Sequence, residues 1–435
     1  MDILLKNIKI ISEKPTLTNI AIEDQNITAI GPNVTIPSPE YTITGKRFYI
    51  SPALMNAHTH LPMTLLRGYS DDLPLFPWLQ KIWALERHFT KESCSIGAEL
   101  AFLEMIKSGC GGFADFYFNE DSILPVAEKS GLRGVLGAGV IEGAFLEQGG
   151  EKSMLNEAKT IASKLENQSS LIKAAVAPHA PHTCSEETLQ KCLDLADKYN
   201  IMIIIHASET REDVINMQKT SGYPPIEWLD KQLSFFTNRD VLAVHCVWIQ
   251  QREIEILANH NAGVAYCAVS GQKLAYGGLA PVPEMISAGV TVCVGTDGTA
   301  SNNTLDMVRE MRSAINLISH NRWNPGLVTA PQILDMASRS FRKRFFKIPS
   351  LTEGAPADIS IFDFNTPHTN PIHNSVSTLV YSANGSNTHS LIVNGKLLML
   401  NGVVQTLNEE RVIENAEIET QKIKDRAKKK SDIIQ

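Results

Sequence analysis

The chain is 435 residues long, 43% hydrophobic and 20% charged, with a formal charge of −7 at pH 7. That balance is the composition of a soluble globular protein with a sizeable core, built as one large domain plus a smaller one or as two to three ordinary domains. Net negative charge argues against a nucleic acid or an anionic membrane as partner, and no apolar run reaches the length of a membrane span.

From the N-terminus, Ile3–Leu5, Ile8–Ile11, Ile20–Ile22 and Ile27–Ile30 read as short strands separated by turn formers such as Asp24–Asn26 and Gly31–Asn33. No long apolar stretch ahead of a cleavage site follows Met1, so no secretory leader is expected. Residues 1–52 are too few to hold a good core alone. Strand-like and helical runs then alternate. Candidate strands are Ala53–His58, Gly112–Tyr117, Arg133–Val140, Ile172–His179, Met202–His206, Val241–His245, Gly263–Val269 and Val290–Asp297. One intervening helix passes through Leu100 and Leu103 and stops at Ser108-Gly109; another is capped by Ser185 and repeats Leu189, Cys192, Leu193 and Ala196. Eight apolar strands, each followed by a helix, predict an α/β fold: a (β/α)8 TIM-type barrel over residues 53–350. Ala357–Phe362 and Ser390–Lys396, with the hairpin signal Asn394-Gly395, lie in residues 351–415 and pair with the N-terminal strands into a small β-sandwich domain. Residues 416–435, with Lys428–Lys430, read as a solvated helix or a frayed end. The seven cysteines (Cys94, Cys110, Cys184, Cys192, Cys246, Cys267 and Cys293) are scattered without a C-x-x-C, as buried free thiols of a reducing cytosol would be.

The chemistry gathers at the strand ends. His58 and His60 are spaced so that, on a strand, both imidazoles face the same way, which is half of a tetrahedral zinc site. In such a barrel the active site lies at the carboxyl ends of the strands. Those ends read His58 and His60 (strand 1), His179 (strand 4), His206 (strand 5), His245 (strand 6) and Asp297 (strand 8), with Glu209 just beyond strand 5. Any one of these histidines could be a packed core residue; their joint arrival at one rim points to a metal.

His58-x-His60, His206, His245 and the segment Gly295–Asn303 resemble the amidohydrolase superfamily. The resemblance is closer to its deaminases of 5′-methylthioadenosine and S-adenosylhomocysteine, with triazine chlorohydrolases and guanine deaminases as relatives. Leu61–Pro74, Ala177–Ser185, Val244–Val247, Pro281–Pro283 and Gly354–Asp358 extend it over nearly the whole chain. It implies that His58, His60, His206 and Asp297 hold one divalent metal. The ligand types suit zinc, with iron or manganese as alternatives. Some relatives bridge two metals with a modified lysine on strand 4, but Lys173, the only lysine there, lies toward the opposite end. The metal would lower the pKa of a water from about 15.7 toward roughly 7. Asp297 would take its proton, His245 would orient the nucleophile, and Glu209 would protonate a ring nitrogen before ammonia leaves.

For the substrate, the resemblance implies that Glu86 binds ribose hydroxyls, that His179 hydrogen-bonds the substrate, and that Trp78 and Leu79 form apolar walls. Ser301 and Asn302 are expected to support the loop after Asp297. The chain departs from the family pattern at Gly137–Val140 (Ala138), where an arginine is usual, and at Tyr266–Gly271, where His-Asn-Pro-x-Ser-Asn is usual. Gly111-Gly112 replaces a Thr-Thr, and His182 replaces a tyrosine. The expected function is a cytoplasmic, zinc-dependent hydrolytic deaminase of an adenine nucleoside of the 5′-methylthioadenosine, S-adenosylhomocysteine or adenosine type, giving the inosine analogue and ammonia, with a homo-oligomer expected by analogy. The departures leave room for another 6-aminopurine nucleoside. The alternatives are a hydrolase of another nitrogen heterocycle (guanine, a pterin or a triazine) and a metal-free barrel scaffold.

Overall fold

Short segments that are apolar on both faces, each followed by an amphipathic stretch, fold here as a parallel sheet wrapped by helices. The computed structural model describes residues 1–143, 149–166 and 171–434. The N-terminal end supplies β1 (Ile3–Ile10), β2 (Leu17–Glu23), β3 (Asn26–Gly31), β4 (Tyr41–Thr44) and β5 (Phe48–Pro52). The barrel strands are β6 (Leu54–Thr59), β7 (Cys110–Tyr117), β8 (Arg133–Val140) and β9 (Ile172–Pro178), then β10 (Met202–Ala207), β11 (Val241–His245), β12 (Gly263–Tyr266) and β13 (Thr291–Val294). The chain returns through β14 (Ile359–Asp363), β15 (Thr388–Val393), β16 (Lys396–Leu400) and β17 (Val403–Val404).

β6 to β13 are hydrogen-bonded in chain order, each parallel to the next, as a nearly closed barrel. Side-chain alternation divides its residues. Met202 and Ile204 of β10 join Ala175, Ala177, Leu242 and Val244 in one cluster, while Ile203 and Ile205 pack outward against the helices. The cluster is capped by Phe341, Phe345 and Phe346. Lys173 points to that end, donating to the Phe345 carbonyl (2.9 Å).

Two barrel strands are shorter than the sequence suggests. β12 stops at Tyr266, not Val269, because a short helix (Ala268–Lys273) begins there, and the Val269 N–H donates to the Glu310 carboxylate (3.0 Å). β13 stops at Val294, not Asp297: Gly295 still donates to the Tyr266 carbonyl (3.1 Å), but the Asp297 N–H turns to the His58 carbonyl (2.9 Å). The expected helix signals hold. α1 spans Leu75–Glu86, and α2 spans Lys91–Lys107 before Ser108 and a left-handed Gly109 (φ 79°). The Ser185 hydroxyl accepts the Thr188 N–H (3.2 Å) at the start of the helix Glu186–Tyr199.

The two chain ends meet where β14 runs antiparallel to β5, with Ile361 opposite Ile50. There they form the expected small β-domain, a mixed sheet of nine strands whose residues Ile3, Leu5, Ile20, Ile50, Ile361 and Ile392 pack in a single apolar core. Ile3–Leu5 and Ile8–Ile11, expected as two strands, form one, with a register shift at a left-handed Asn7 (φ 53°). Asn394 and Gly395 both adopt positive φ (50° and 73°), as a two-residue hairpin between β15 and β16 requires. Buried Asp358 ties this sheet to the barrel. It accepts from Arg133 Nε (2.8 Å) and the Asn394 N–H (2.6 Å) and pairs with Arg342 Nη2 (2.8 Å).

The charged C-terminal segment is not frayed. Residues 409–434 form a helix whose buried face, Val412, Ala416, Glu419 and Ile423, packs on α2. There Glu419 accepts from the Ser93 hydroxyl (2.7 Å) and from Arg426 (2.7 Å). All seven cysteines are free and buried, and no described helix is long and apolar enough to cross a membrane.

Candidate active site

The carboxyl ends of the barrel strands bring His58, His60, His206, His245 and Asp297 together. His206 continues the inward alternation of Met202 and Ile204. His245 closes β11 in a left-handed conformation (φ 69°) that turns it out of the strand's parity. Asp297 is also left-handed (φ 64°); its N–H donates to the His58 carbonyl (2.9 Å), and its Oδ1 accepts the Gly298 N–H (2.7 Å). The glycines around it are steric necessities. A Cβ on Gly295 would lie 2.7 Å from His58 N, and one on Gly298 would lie 2.6 Å from Met63 Sδ.

Two overlapping groups share His58. In each, His58–His206–His245 and His58–His60–Asp297, the donor atoms lie within 4.8 Å of one another. His58 Nε2 is 3.3 Å from His206 Nε2, and Asp297 Oδ1 is 3.2 Å from His60 Nε2 and 3.8 Å from His58 Nε2. Backbone carbonyls fix two tautomers. His60 Nδ1–H donates to Phe116 O, and His206 Nδ1–H donates to His179 O (2.9 Å), which turns both Nε2 atoms toward the cluster. Burial, reinforced by His60, holds His58 well below its ordinary pKa; burial and the neighbouring imidazoles do the same for His206. Burial also works on His60, but the hydrogen bond and charge of Asp297 lift it to about 9. Burial opposes ionisation of Asp297, and the surrounding histidines overcome it, holding the carboxylate far below its usual range. The neutral imidazoles of His58 and His206, with His60 and a committed carboxylate beside them, suit a single divalent cation.

Above this cluster opens a cavity of about 1000 Å³. Glu209, on the turn after β10, lines it with Oε1 3.6 Å from His245 Nε2. Burial raises the Glu209 pKa against the opposing pull of His245 and Tyr276. Glu86, at the end of α1, is not an exposed helix charge. It is 3% exposed, lines the cavity and accepts the Tyr117 hydroxyl at Oε1; burial raises its pKa although Tyr117 and His60 oppose this. Trp78 and Leu79, two turns earlier, form an adjoining wall, and the buried Trp78 indole N–H has no partner among the described residues. His179 lines the cavity and is held neutral, its pKa lowered to about 3 by burial and then by His182 and other imidazoles. Because Thr183 Oγ1 donates to the Ala180 carbonyl (3.3 Å), it accepts from His179 Nδ1 (2.9 Å), so His179 Nε2 is left for a ligand.

Asn302 does not line the cavity. Its amide donates to the Thr296 carbonyl (2.7 Å) and to Glu310 (2.8 Å), bracing the Asp297 loop from behind. Ser301 Oγ donates to the Gly298 carbonyl (2.9 Å). Some departures from the family pattern have steric causes. Cβ atoms on Gly111 and Gly112 would lie 2.6 Å from Ala53 Cβ and 2.4 Å from Met55 Sδ, so the glycines let β7 sit close to β6. Sequence reasoning missed Tyr117 and Tyr276. Tyr117 sits at the end of a strand already recognised, and its parity could have flagged it. Tyr276 follows the departed segment, where nothing local marks a pocket residue.

A nearly closed barrel with histidine and carboxylate donors converging at its carboxyl rim defines a metal-dependent barrel hydrolase. Residues 49–398 match the amidohydrolase family, and the chain belongs to it. It is 40% identical over 375 residues to a 5′-deoxyadenosine deaminase of Methanopyrus kandleri, covering 86% of each chain. It is also 40% identical over 406 residues to a 5-methylthioadenosine/S-adenosylhomocysteine deaminase of Thermococcus onnurineus, covering 92% of this chain and 94% of that one. Among solved structures, an adenosine deaminase from Xanthomonas campestris with bound zinc is 28% identical, with a TM-score of 0.90 over 98% of this chain and 99% of that one.

Proposed function

We propose that the chain is a zinc-dependent hydrolytic deaminase of an adenine nucleoside, converting the 6-amino group to a carbonyl and releasing ammonia. The relatives named above support the reaction class. The observation that carries the reading is one cavity with the donor cluster and Glu209 at its base and a buried, otherwise unneutralised Glu86 on its wall. In this reading His58, His60, His206 and Asp297 hold the metal, which when bound supplies a water acidic enough to react near neutral pH. Asp297 accepts the proton of the attacking water. His245, 3.6 Å from Glu209, orients the nucleophile and supports the charge that develops at the ring carbon. Glu209, which burial biases toward its acid form, delivers a proton to the neighbouring ring nitrogen, making the amine-bearing carbon electrophilic. Glu86 reads the ribose hydroxyls, and His179 and Trp78 face the base and its substituent. A volume at the upper end for small-molecule sites leaves room for a 5′ tail. Free, buried thiols suit a reducing cytosol.

The test is ammonia release by zinc-loaded protein from 5′-deoxyadenosine, 5′-methylthioadenosine, S-adenosylhomocysteine, adenosine, guanine, a pterin and a triazine. Turnover confined to the nucleosides is expected; turnover only of the sugar-free heterocycles would replace the nucleoside reading with the other one. In Glu209→Gln the rate should fall by several orders of magnitude with zinc retained. A near-normal rate in that variant would remove the proton donor.

A further inference from the structure

Tyr276 is an aromatic residue whose hydroxyl the chemistry above does not use. It is 6% exposed, lines the same cavity as Glu209, and its Oη is buried with no hydrogen-bond partner among the described residues. A buried hydroxyl left unpaired costs about 1–3 kcal/mol, so a partner in the working enzyme is expected. The polar groups beside it are the Glu209 carboxyl and the Ser270 hydroxyl. Its ring stands edge-on to His245 with centroids 5.7 Å apart, and His245 Nε2 lies 3.6 Å from Glu209 Oε1.

Two features show that this placement is built. Trp248 spans both loops: its backbone N–H donates to the Ser208 carbonyl (2.9 Å), immediately before Glu209, and its indole N–H donates to the Tyr276 carbonyl (3.1 Å). A Cβ on Gly278 would lie 2.7 Å from Trp248 Cε2, so the glycine lets the indole lie against the Tyr276 loop. Gly271 then provides space for the ring. A Cβ there would lie 3.2 Å from Tyr276 Cδ2 and 3.5 Å from Cε2, so any larger side chain at 271 competes with the tyrosine for one volume.

We propose that Tyr276 is a positioning residue for Glu209, its hydroxyl donating to one carboxyl oxygen so that the other faces the substrate ring nitrogen, with Gly271 as its steric licence. The assignment rests on Glu209 being the proton donor. Burial keeps the phenol well above its ordinary pKa, so Tyr276 acts only as a neutral donor and takes no proton itself. Because it holds the carboxyl that moves the proton rather than the substrate, its loss should appear in turnover and not in binding.

The experiment is steady-state kinetics of zinc-loaded Tyr276→Phe with 5′-deoxyadenosine across pH, with zinc content and thermal midpoint measured alongside. Phenylalanine keeps the ring volume, so the fold should hold. Expected are a fall in kcat of about tenfold or more, the worth of one hydrogen bond to a charged group, and KM within about twofold. The pH limb belonging to Glu209 should move upward, because its carboxylate has lost a donor. An unchanged kcat and pH profile would reduce Tyr276 to packing, and a raised KM with unchanged kcat would make it a substrate contact; either overturns the assignment. Gly271→Ala should reproduce the loss in kcat by displacing the ring and should add little in the Tyr276→Phe background; full additivity would separate the two residues. If Glu209→Gln abolishes turnover while Tyr276→Phe is silent, only this inference fails. If Glu209→Gln is active, the reading of the site fails with it.

Discussion

The most decisive perturbation of the proposed substrate class is Glu86→Gln. Glu86 is 3% exposed, with Oε1 occupied by the Tyr117 hydroxyl and the rest of the carboxyl turned to the cavity wall. Glutamine keeps the shape, and its carbonyl can still accept from Tyr117, so little of the wall should rearrange. What is lost is a charged acceptor for a sugar hydroxyl. Burial removes solvent screening, so the full worth of such a bond applies, about 1.5–3 kcal/mol. That is roughly 10- to 100-fold in affinity. The sugar contact lies away from the reacting carbon and is made equally in ground and transition states, so the loss belongs in KM with kcat within a few-fold. The assay is ammonia release from 5′-deoxyadenosine on wild type and variant in parallel, with adenine, the base without its sugar, added as a competitive inhibitor. A 10- to 100-fold rise in KM for the nucleoside, with an unchanged inhibition constant for adenine, is expected. Unchanged kcat/KM for every active nucleoside would show that the wall does not read a sugar and would favour a free heterocycle as substrate.

Chelation should lower the thermal midpoint as well as abolish activity, since an ion bound only by the folded state contributes about 4 kcal/mol at a thousandfold excess over its dissociation constant; an unshifted midpoint restored by no added zinc would count against the cluster as a metal site. Asp358→Ala leaves Arg133 and Arg342 buried without their shared carboxylate and should cost about 3–5 kcal/mol in denaturant unfolding, whereas a loss below about 1 kcal/mol would mean the clamp is dispensable. Stability should also fall as pH rises from about 4.5 to about 7. Burial raises the folded-state pKa of Glu157 to about 7 and that of Glu120 well above its ordinary value, so the folded chain holds protons that the unfolded chain has released across that window. The term is at most roughly 3 kcal/mol for Glu157 and is absent below the window. Glu120, with both carboxyl oxygens unpartnered among the described residues, is the group to test. Glu120→Gln should flatten the pH dependence of the midpoint and raise it at pH 8; a curve parallel to wild type would refute this account.

The barrel was legible because β strands buried on both faces leave an unmistakable apolar run, and the rim residues were legible because chemistry-bearing types end those runs. His206 and His179 needed only alternation. Short strands were not legible: Tyr41–Thr44 and Val403–Val404 carry too few residues for a pattern and exist through pairing with β1 and β16. The tail misled for a related reason. Its charge reads as solvation, yet the carboxyl of Glu419 is buried because Ser93, distant in sequence, and Arg426, two turns further along the helix, complete it. Glu86 shows the same gap in the candidate site, because a carboxylate's burial depends on a tyrosine from β7 that no local window contains. Tyr276 was the hardest, since its meaning lies in the absence of a side chain at Gly271.

The site and the closure of the barrel are made by the same contacts. β6 and β13, the first and last strands, are joined where the Asp297 N–H donates to the His58 carbonyl and where the Asn56 side chain accepts the Thr296 N–H (2.9 Å) and donates to the Thr296 hydroxyl (2.7 Å). The backbone of His58 therefore positions Asp297, while the side chains of both residues face the same donor cluster. A left-handed aspartate costs about 1 kcal/mol or more, and its backbone hydrogen bond to His58 across the seam, with the Gly298 N–H donating to its carboxylate, offsets that cost. Gly295 permits the approach, since a Cβ there would lie 2.7 Å from His58 N and pry the seam apart, while Gly298 leaves room for the Met63 side chain. A cation bound there would bridge β6, β10 and the loop after β13, reinforcing a closure between residues far apart in sequence that carries a large entropic cost. The Gly-Thr-Asp-Gly motif is thus a folding element and a chemical one at once: the geometry that shuts the barrel is the geometry that assembles the donor set.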